Sequence, residues 1–73
     1  MTPPVSPHCK KILTDFEDET KRKKICNNPR QIRATVICKA WDIFETKSIS
    51  FLEAVDQAWD WAKDQCSQIG VYI

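Results

Sequence analysis

Four cysteines and one histidine are the residues of this 73-residue chain best suited to do chemistry. The cysteines contain no C-x-x-C pair, whereas zinc sites are built from closely spaced ligand pairs. His8 directly precedes Cys9, and neighbouring residues on a helix point about 100° apart, so the two are poorly placed to act as a catalytic pair. We therefore expect no bound metal, no cofactor and no enzymatic activity.

The same cysteines raise the question of redox state. Four cysteines allow three disulfide pairings, but the N-terminus lacks the apolar segment of a signal peptide, which favours a reducing cytoplasm and free thiols. If a disulfide forms, Cys26 and Cys66 are the first pair to test, because an up-down-up bundle brings both to one end. A thiol or metal module is an alternative function for these four residues: Cys9, Cys26, Cys38 and Cys66.

Composition excludes several further classes of protein. The chain has one glycine, Gly70, so it holds neither a P-loop nor a dinucleotide-binding fingerprint. No apolar run approaches the roughly 20 residues that span a bilayer, so we expect no membrane segment. A chain of this length builds one hydrophobic core. We expect a single domain over 6–73 after a flexible N-terminus, 1–5, and a cytoplasmic location.

Two start signals predict helices in the first two thirds of the chain. Ser6-Pro7 places a capping residue before a proline at the first helical position, and predicts a helix over about 7–20 that ends where four consecutive cations follow. Asn28-Pro29 repeats the signal and predicts a helix over about 29–46. Because segment 32–37 is rich in β-branched residues, a strand there is the alternative.

A capping box opens the last predicted helix. The Ser50 oxygen can accept from a free N–H of the first turn, and Glu53 can reach back to the serine. The helix is expected over about 50–69, with Gly70 as the left-handed residue beyond its end. Together these segments predict an all-α fold, a small three-helix bundle.

The last predicted helix has two different faces. One face is an apolar stripe that we expect to be buried: Phe51, Leu52, Val55, Ala58, Trp59, Ala62, Cys66 and Ile69. The other carries an acidic ridge of four carboxylates at helical spacing: Glu53, Asp56, Asp60 and Asp64. Trp61 lies beside the ridge, and an exposed tryptophan there would be a binding hot spot. Packing of Trp61 against the first helix or against the apolar tail, residues 71–73, is the alternative.

The net charge of +1 conceals a division between the two parts of the chain. Residues 1–33 carry eight cationic and four anionic side chains, whereas residues 34–73 carry three cationic and six anionic ones. The ridge would repel a phosphate backbone, so it predicts a protein partner with a basic surface. Nucleic acid is a second candidate partner, through six cations: Lys21, Arg22, Lys23, Lys24, Arg30 and Arg33.

Residues 36–63 resemble a pattern of short proteins encoded by phages and other mobile elements. The pattern is A-W on one helix, a short link, then F-x-E-A followed by A-W and A-K on the next. Its matches here are Ala40-Trp41, Phe51-Leu52-Glu53-Ala54, Ala58-Trp59 and Ala62-Lys63. The resemblance implies a helix pair and a mobile-element origin, and no chemistry.

These observations favour a small macromolecule-binding protein. We expect an inhibitor, similar in manner to anti-CRISPR proteins, that occupies a basic surface of a host nucleic-acid-handling or defence complex. The alternative is a nucleic-acid-binding regulator that uses the basic segment 21–33. The sequence does not specify an oligomeric state.

Overall fold

The structure is a computed structural model that describes residues 7–73, and over this range the chain forms four helices. They are α1 (Pro7–Glu17), α2 (Glu19–Cys26), α3 (Pro29–Lys47) and α4 (Phe51–Gln68). The all-α class is confirmed, and segment 32–37 is helical. The three-helix count is wrong, because two helices replace the first predicted one. The expected flexible segment 1–5 and the expected cap at position 6 lie outside the described residues.

The break between α1 and α2 is set by Asp18. Its backbone is extended, with φ −78° and ψ 117°, and its carboxylate accepts hydrogen bonds from the backbone N–H groups of Thr20 (3.0 Å) and Lys21 (3.3 Å). Aspartate is a preferred N-cap residue because it satisfies these free donors. Asp18 therefore starts a new helix within the acidic segment 15–19.

Two of the four consecutive cations fix α2 against the end of α1. Arg22 donates from Nε to the Phe16 carbonyl (2.7 Å) and from a terminal guanidinium nitrogen to the Glu17 carbonyl (3.1 Å). Lys21 pairs with Asp15, with 3.3 Å between Nζ and Oδ1. The two Arg22 bonds satisfy carbonyls that a helix leaves free at its C-terminus, and the Lys21–Asp15 pair adds an ionic link between the two helices. The cationic run therefore forms α2, contrary to the expectation that it would end the helical region.

The ends of the two long helices follow the sequence signals. The Asn28 side chain accepts from the first N–H groups of α3, and the Ser50 hydroxyl accepts from the Glu53 N–H at 3.2 Å. The Glu53 side chain forms no hydrogen bond back to Ser50, so only one half of the predicted capping box is present. Gly70 has φ +80°, and the Val71 N–H donates to the Cys66 carbonyl at 2.9 Å. This is the Schellman arrangement, in which a left-handed residue closes the helix.

Helices α3 and α4 form an antiparallel pair around small side chains. Ala54, Ala58 and Ala62 recur every fourth residue on α4 and are fully buried, as is Ala40 on α3. Residues four apart share a helix face, so this alanine row lets the two backbones approach closely. The buried face is consequently centred on the alanines. Leu52, which we expected to be buried, lies to one side of that face and is 79% exposed.

The two short helices pack against this pair and are covalently joined to it. Phe16 at the end of α1 is 1% exposed and belongs to the core. One disulfide links Cys9 of α1 to Cys38 of α3, and another links Cys26 of α2 to Cys66 of α4. The expectation of four free thiols is wrong, and the Cys26–Cys66 pair is the one singled out from the sequence. Over residues 7–73, no helix has the length and hydropathy needed to cross a membrane.

Candidate functional site

The acidic ridge lies on the outer face of α4. All four carboxylate residues are exposed, and none forms a salt bridge with another residue in the range 7–73. Asp64 accepts a hydrogen bond from the Gln68 amide at 3.1 Å, and this bond leaves its charge uncompensated. The ridge therefore presents a row of negative charges to solvent, spaced by single turns of one helix.

Trp61 is not the exposed tryptophan that we expected. It is half-buried, and its ring lies 5.0 Å from the ring of Phe16, centroid to centroid. The Lys39 ammonium lies 4.8 Å from the Trp61 ring centre, within the range of a cation–π contact. The alternative interpretation, packing against the first helix, is correct. Trp61 faces α1 and α3 because it lies on the flank of the alanine row that these helices cover.

The tryptophan beside the ridge is Trp59. A shallow groove on α4 is lined by Asp56, Trp59, Asp60 and Lys63. Trp59 lies three residues after Asp56, so the two are neighbours on the helix surface. Its ring is half-buried against the core, and one edge of the groove is therefore aromatic.

An exposed apolar patch adjoins the ridge, and we define it as Ile37, Trp41 and Leu52. Ile37 is 51% exposed and Trp41 42% exposed, one turn apart on α3. The ring centroids of Trp41 and Phe51 lie 4.7 Å apart, and Phe51 directly precedes Leu52 in α4. Because Leu52 is one turn before the ridge residue Asp56 on α4, the patch meets the ridge at Leu52.

The sequence contained one signal for this patch. Apolar residues cover well over half the circumference of α3, more than a single partner helix can bury. In the structure α4 covers one side of α3, and α1 and α2 cover another. The remaining apolar positions, Ile37 and Trp41, stay exposed. The sequence does not distinguish these two positions from the buried positions of the same arc.

The six cations proposed for nucleic-acid binding do not act as one set. Arg22 is half-buried and bonded to the end of α1, and Lys21 is paired with Asp15. The other four are exposed and form no ion pair with any residue of the described chain: Lys23, Lys24, Arg30 and Arg33.

A cleft of about 440 Å³ opens between α1, α2 and α3. We call it the basic cleft, because Lys21, Lys24 and Arg30 line it together with His8. Its apolar lining comes from one residue of each helix: Ile12, Ile25 and Ala34. Arg33 and Lys23 are not among the lining residues.

The cysteines do not form a metal site. Both disulfides occupy the sulfur atoms that a metal would need as thiolates. Within residues 7–73, no group of three or more histidine, cysteine or acidic residues is arranged to hold a metal ion.

No protein-family model, no curated protein and no solved structure matches this chain. The resemblance of residues 36–63 to short mobile-element proteins stays a prediction. The candidate site is therefore described by its own chemistry: an acidic ridge, an adjoining apolar patch and a separate basic cleft.

Proposed function

We propose that this chain is a small macromolecule-binding protein that docks its acidic ridge and apolar patch on a basic surface of a protein partner. The supporting observation is that exposed Leu52 borders carboxylates that have no ion pair inside the described chain, and that exposed Trp41 packs on Phe51, the neighbour of Leu52 in sequence. Interfaces combine a water-excluding apolar centre, often containing tryptophan, with a charged rim. The patch would supply the centre and the ridge the rim.

The charge arrangement favours a basic partner over an acidic one. Four carboxylates along α4 would attract a lysine- or arginine-rich surface during encounter and repel a phosphate backbone. Surfaces that handle nucleic acid are basic for the same reason. An inhibitor of the anti-CRISPR type, which occupies such a surface in place of nucleic acid, is the more specific form of this proposal.

The disulfides bear on where such a partner would be met. Disulfides persist in oxidising compartments and are rare in the cytosol. Because all four cysteines are paired, they do not favour a reducing cytoplasm. We propose an oxidising environment for the folded protein. To inhibit an intracellular complex, the protein would have to keep its fold after both disulfides are reduced, because the cytosol is reducing.

Affinity capture with matched variants tests the proposal. The ridge variant carries Glu53→Gln, Asp56→Asn, Asp60→Asn and Asp64→Asn. The control variant removes exposed carboxylates elsewhere and carries Glu17→Gln, Glu19→Gln and Glu45→Gln. Each bait is exposed to a source-organism extract prepared without reductant. We expect a basic protein to be captured by the wild type and the control, to be lost with the ridge variant, and to elute with salt.

Two results would contradict the proposal. One is equal capture of the same protein by the wild type and the ridge variant. The other is capture that depends on the ridge but yields an acidic partner. Circular dichroism of both variants checks that the substitutions leave the helices intact. Displacement of the captured protein by added DNA then tests the inhibitor form, because the two would compete for one basic surface.

Nucleic-acid binding is the second candidate function. It is favoured by four exposed cations without ion pairs on α2 and on the first turns of α3. Such binding would weaken steeply with salt, because each phosphate contact releases counterions. In a mobility-shift assay at physiological salt, we expect the ridge variant to shift nucleic acid and the Lys23→Ala/Arg33→Ala variant not to do so. That result would support nucleic-acid binding. The absence of any shift at low salt would exclude it.

A further inference from the structure

We propose that the basic cleft binds a small organic phosphate whose apolar body lies on Ile12, Ile25 and Ala34. This inference is independent of the proposed partner surface, because the cleft lies between α1, α2 and α3 whereas the ridge lies on α4. It assigns one chemical class of ligand to one concave site. The charge balance, the donor groups and the apolar lining of the cleft all favour such a ligand.

The charge balance of the cleft is positive. Its one carboxylate, Asp15, is paired with Lys21 at 3.3 Å, so these two charges largely cancel. Lys24 and Arg30 also line the cleft and form no ion pair with any described residue. A phosphomonoester carries close to two negative charges at neutral pH, which matches these two cations.

The donors of the cleft suit phosphate geometry. The Arg30 guanidinium presents several N–H groups in a planar fork that fits phosphate oxygens, and the Lys24 ammonium adds a compact charge. These two cations come from different helices, α3 and α2, and they converge on one concavity. A phosphate between them would hold the two helices together as well as be bound by them. His8 of α1 lines the same cleft.

The cleft also has an apolar portion, beside the polar lining residues Gln31 and Thr35. Ile12, Ile25 and Ala34 come from three different helices and line the same space. A volume of about 440 Å³ falls within the usual size range of small-molecule sites. A bare inorganic ion would leave this space to water, whereas a ring or short chain on the phosphate would bury apolar surface. The ligand class is therefore a phosphate ester with an apolar body, rather than free phosphate.

Three probes separate the contributions. Benzyl phosphate carries both parts, inorganic phosphate only the charge, and benzyl alcohol only the ring. Each is titrated into isotopically labelled protein, and backbone amide shifts are followed by nuclear magnetic resonance. We expect saturable shifts at Ile12, Ile25 and Ala34 with benzyl phosphate, and an affinity at least about tenfold above that of either partial probe.

Matched variants locate the site. Lys24→Ala and Arg30→Ala should each weaken benzyl phosphate binding by about fivefold or more, because each removes a charge-assisted donor. Lys23→Ala and Arg33→Ala remove the same charges from the same two helices outside the cleft, and should change binding by less than about twofold. Unchanged spectra of the free variants, apart from the substituted positions, show that the fold is retained.

Several outcomes would overturn the inference. Absence of saturable shifts at millimolar benzyl phosphate would do so, as would equal binding of benzyl phosphate and inorganic phosphate. Equal weakening in the cleft and control variants would replace a defined site with general attraction to positive charge. Shifts confined to α4 would place the ligand elsewhere.

Discussion

The Nε of Arg22 lies 2.7 Å from the carbonyl oxygen of Phe16, so a cation of α2 closes the C-terminus of α1. The same guanidinium stacks over the Phe16 ring at 5.7 Å and also bonds to the Glu17 carbonyl. The most basic segment of the sequence therefore contains a residue with a structural role. Its charge also favours the negative end of the α1 dipole.

Replacement of Arg22 should destabilise the fold without affecting nucleic-acid affinity. We expect Arg22→Ala to lower the free energy of unfolding by about 1–2 kcal/mol, because two carbonyls lose charged donors. Lys23→Ala, at the exposed neighbouring position, should change it by less than about 0.5 kcal/mol. Urea denaturation followed by circular dichroism measures both. Equal stability of the two variants would mean that the Arg22 bonds contribute nothing in solution.

Trp61 and Trp41 should respond differently to truncation. Trp61 is half-buried against Phe16, so Trp61→Ala should cost about 2 kcal/mol of stability, since it removes a packed ring. Trp41 is 42% exposed, and Trp41→Ala should weaken the captured partner's binding by about 30-fold, equivalent to roughly 2 kcal/mol. Thermal melts and titrations of both variants provide the comparison. A partner that binds Trp41→Ala as tightly as wild type would remove the apolar patch from the interface.

Gly70 should tolerate replacement only at a conformational cost. Its φ of +80° is unfavourable for residues with a Cβ, although no atom lies within 4 Å of where that carbon would be. Gly70→Ala should therefore destabilise the protein by about 1 kcal/mol, purely through backbone strain. Gly70→Asn should cost less, because asparagine adopts this conformation more readily. If the alanine variant were as stable as wild type, the Schellman closure would not persist in solution.

Ser48 offers the reverse substitution. It lies between α3 and α4 with φ 53° and ψ 36°, a left-handed conformation that serine seldom adopts. Ser48→Gly should stabilise the protein by a few tenths of a kcal/mol to about 1 kcal/mol. Glycine relieves the backbone strain of the folded state, and the greater freedom of the unfolded chain offsets part of this gain. Ser50→Gly, which removes the cap of α4, should destabilise it. The two melting temperatures should move in opposite directions.

The disulfides should account for a large share of stability. In the chain-entropy description, loops closed over 29 and 40 residues stabilise by about 3–4 kcal/mol each. Paired replacement Cys26→Ala/Cys66→Ala should therefore lower the melting temperature strongly, and reductant should do the same to wild type. A thiol-reactive reagent should label no cysteine in the native protein and four after reduction and unfolding. Labelling of native wild-type protein at any cysteine would contradict the pairing.

Local signals in the sequence predicted the two long helices well. Asn28, Ser50 and Gly70 each act within a few residues, so their meaning is the same before and after folding. Asp18 carries an equally local signal, but it lies in segment 15–19, where four of the five residues are acidic, and such a segment is equally typical of a solvent-exposed helix face. The interactions that stabilise α2 as a separate helix form only after the chain turns at Asp18. The most important of them joins Arg22 to Phe16.

The site was harder to predict because it depends on which face of α4 is buried. The alanine row sets the closest approach of α3 and narrows the buried face to its own width. Leu52 is therefore exposed and Trp61 lies on the covered flank, whereas the sequence predicted the reverse. Both residues belong to the helix in which they were predicted. The acidic ridge is insensitive to this shift, since it lies opposite the alanines. Cys9 and Cys38 could be paired only once α1 was placed against α3.

The two disulfides interleave along the chain, since Cys26 lies inside the loop closed by Cys9–Cys38 and Cys38 inside the loop closed by Cys26–Cys66. A single peptide-bond cleavage anywhere between residues 9 and 66 therefore releases no fragment. A protease that cuts after the lysines of α2 would produce a nicked molecule that remains one covalent unit and separates only on reduction. The chain thus combines a basic helix with a covalent framework that would hold the molecule together after a single cut.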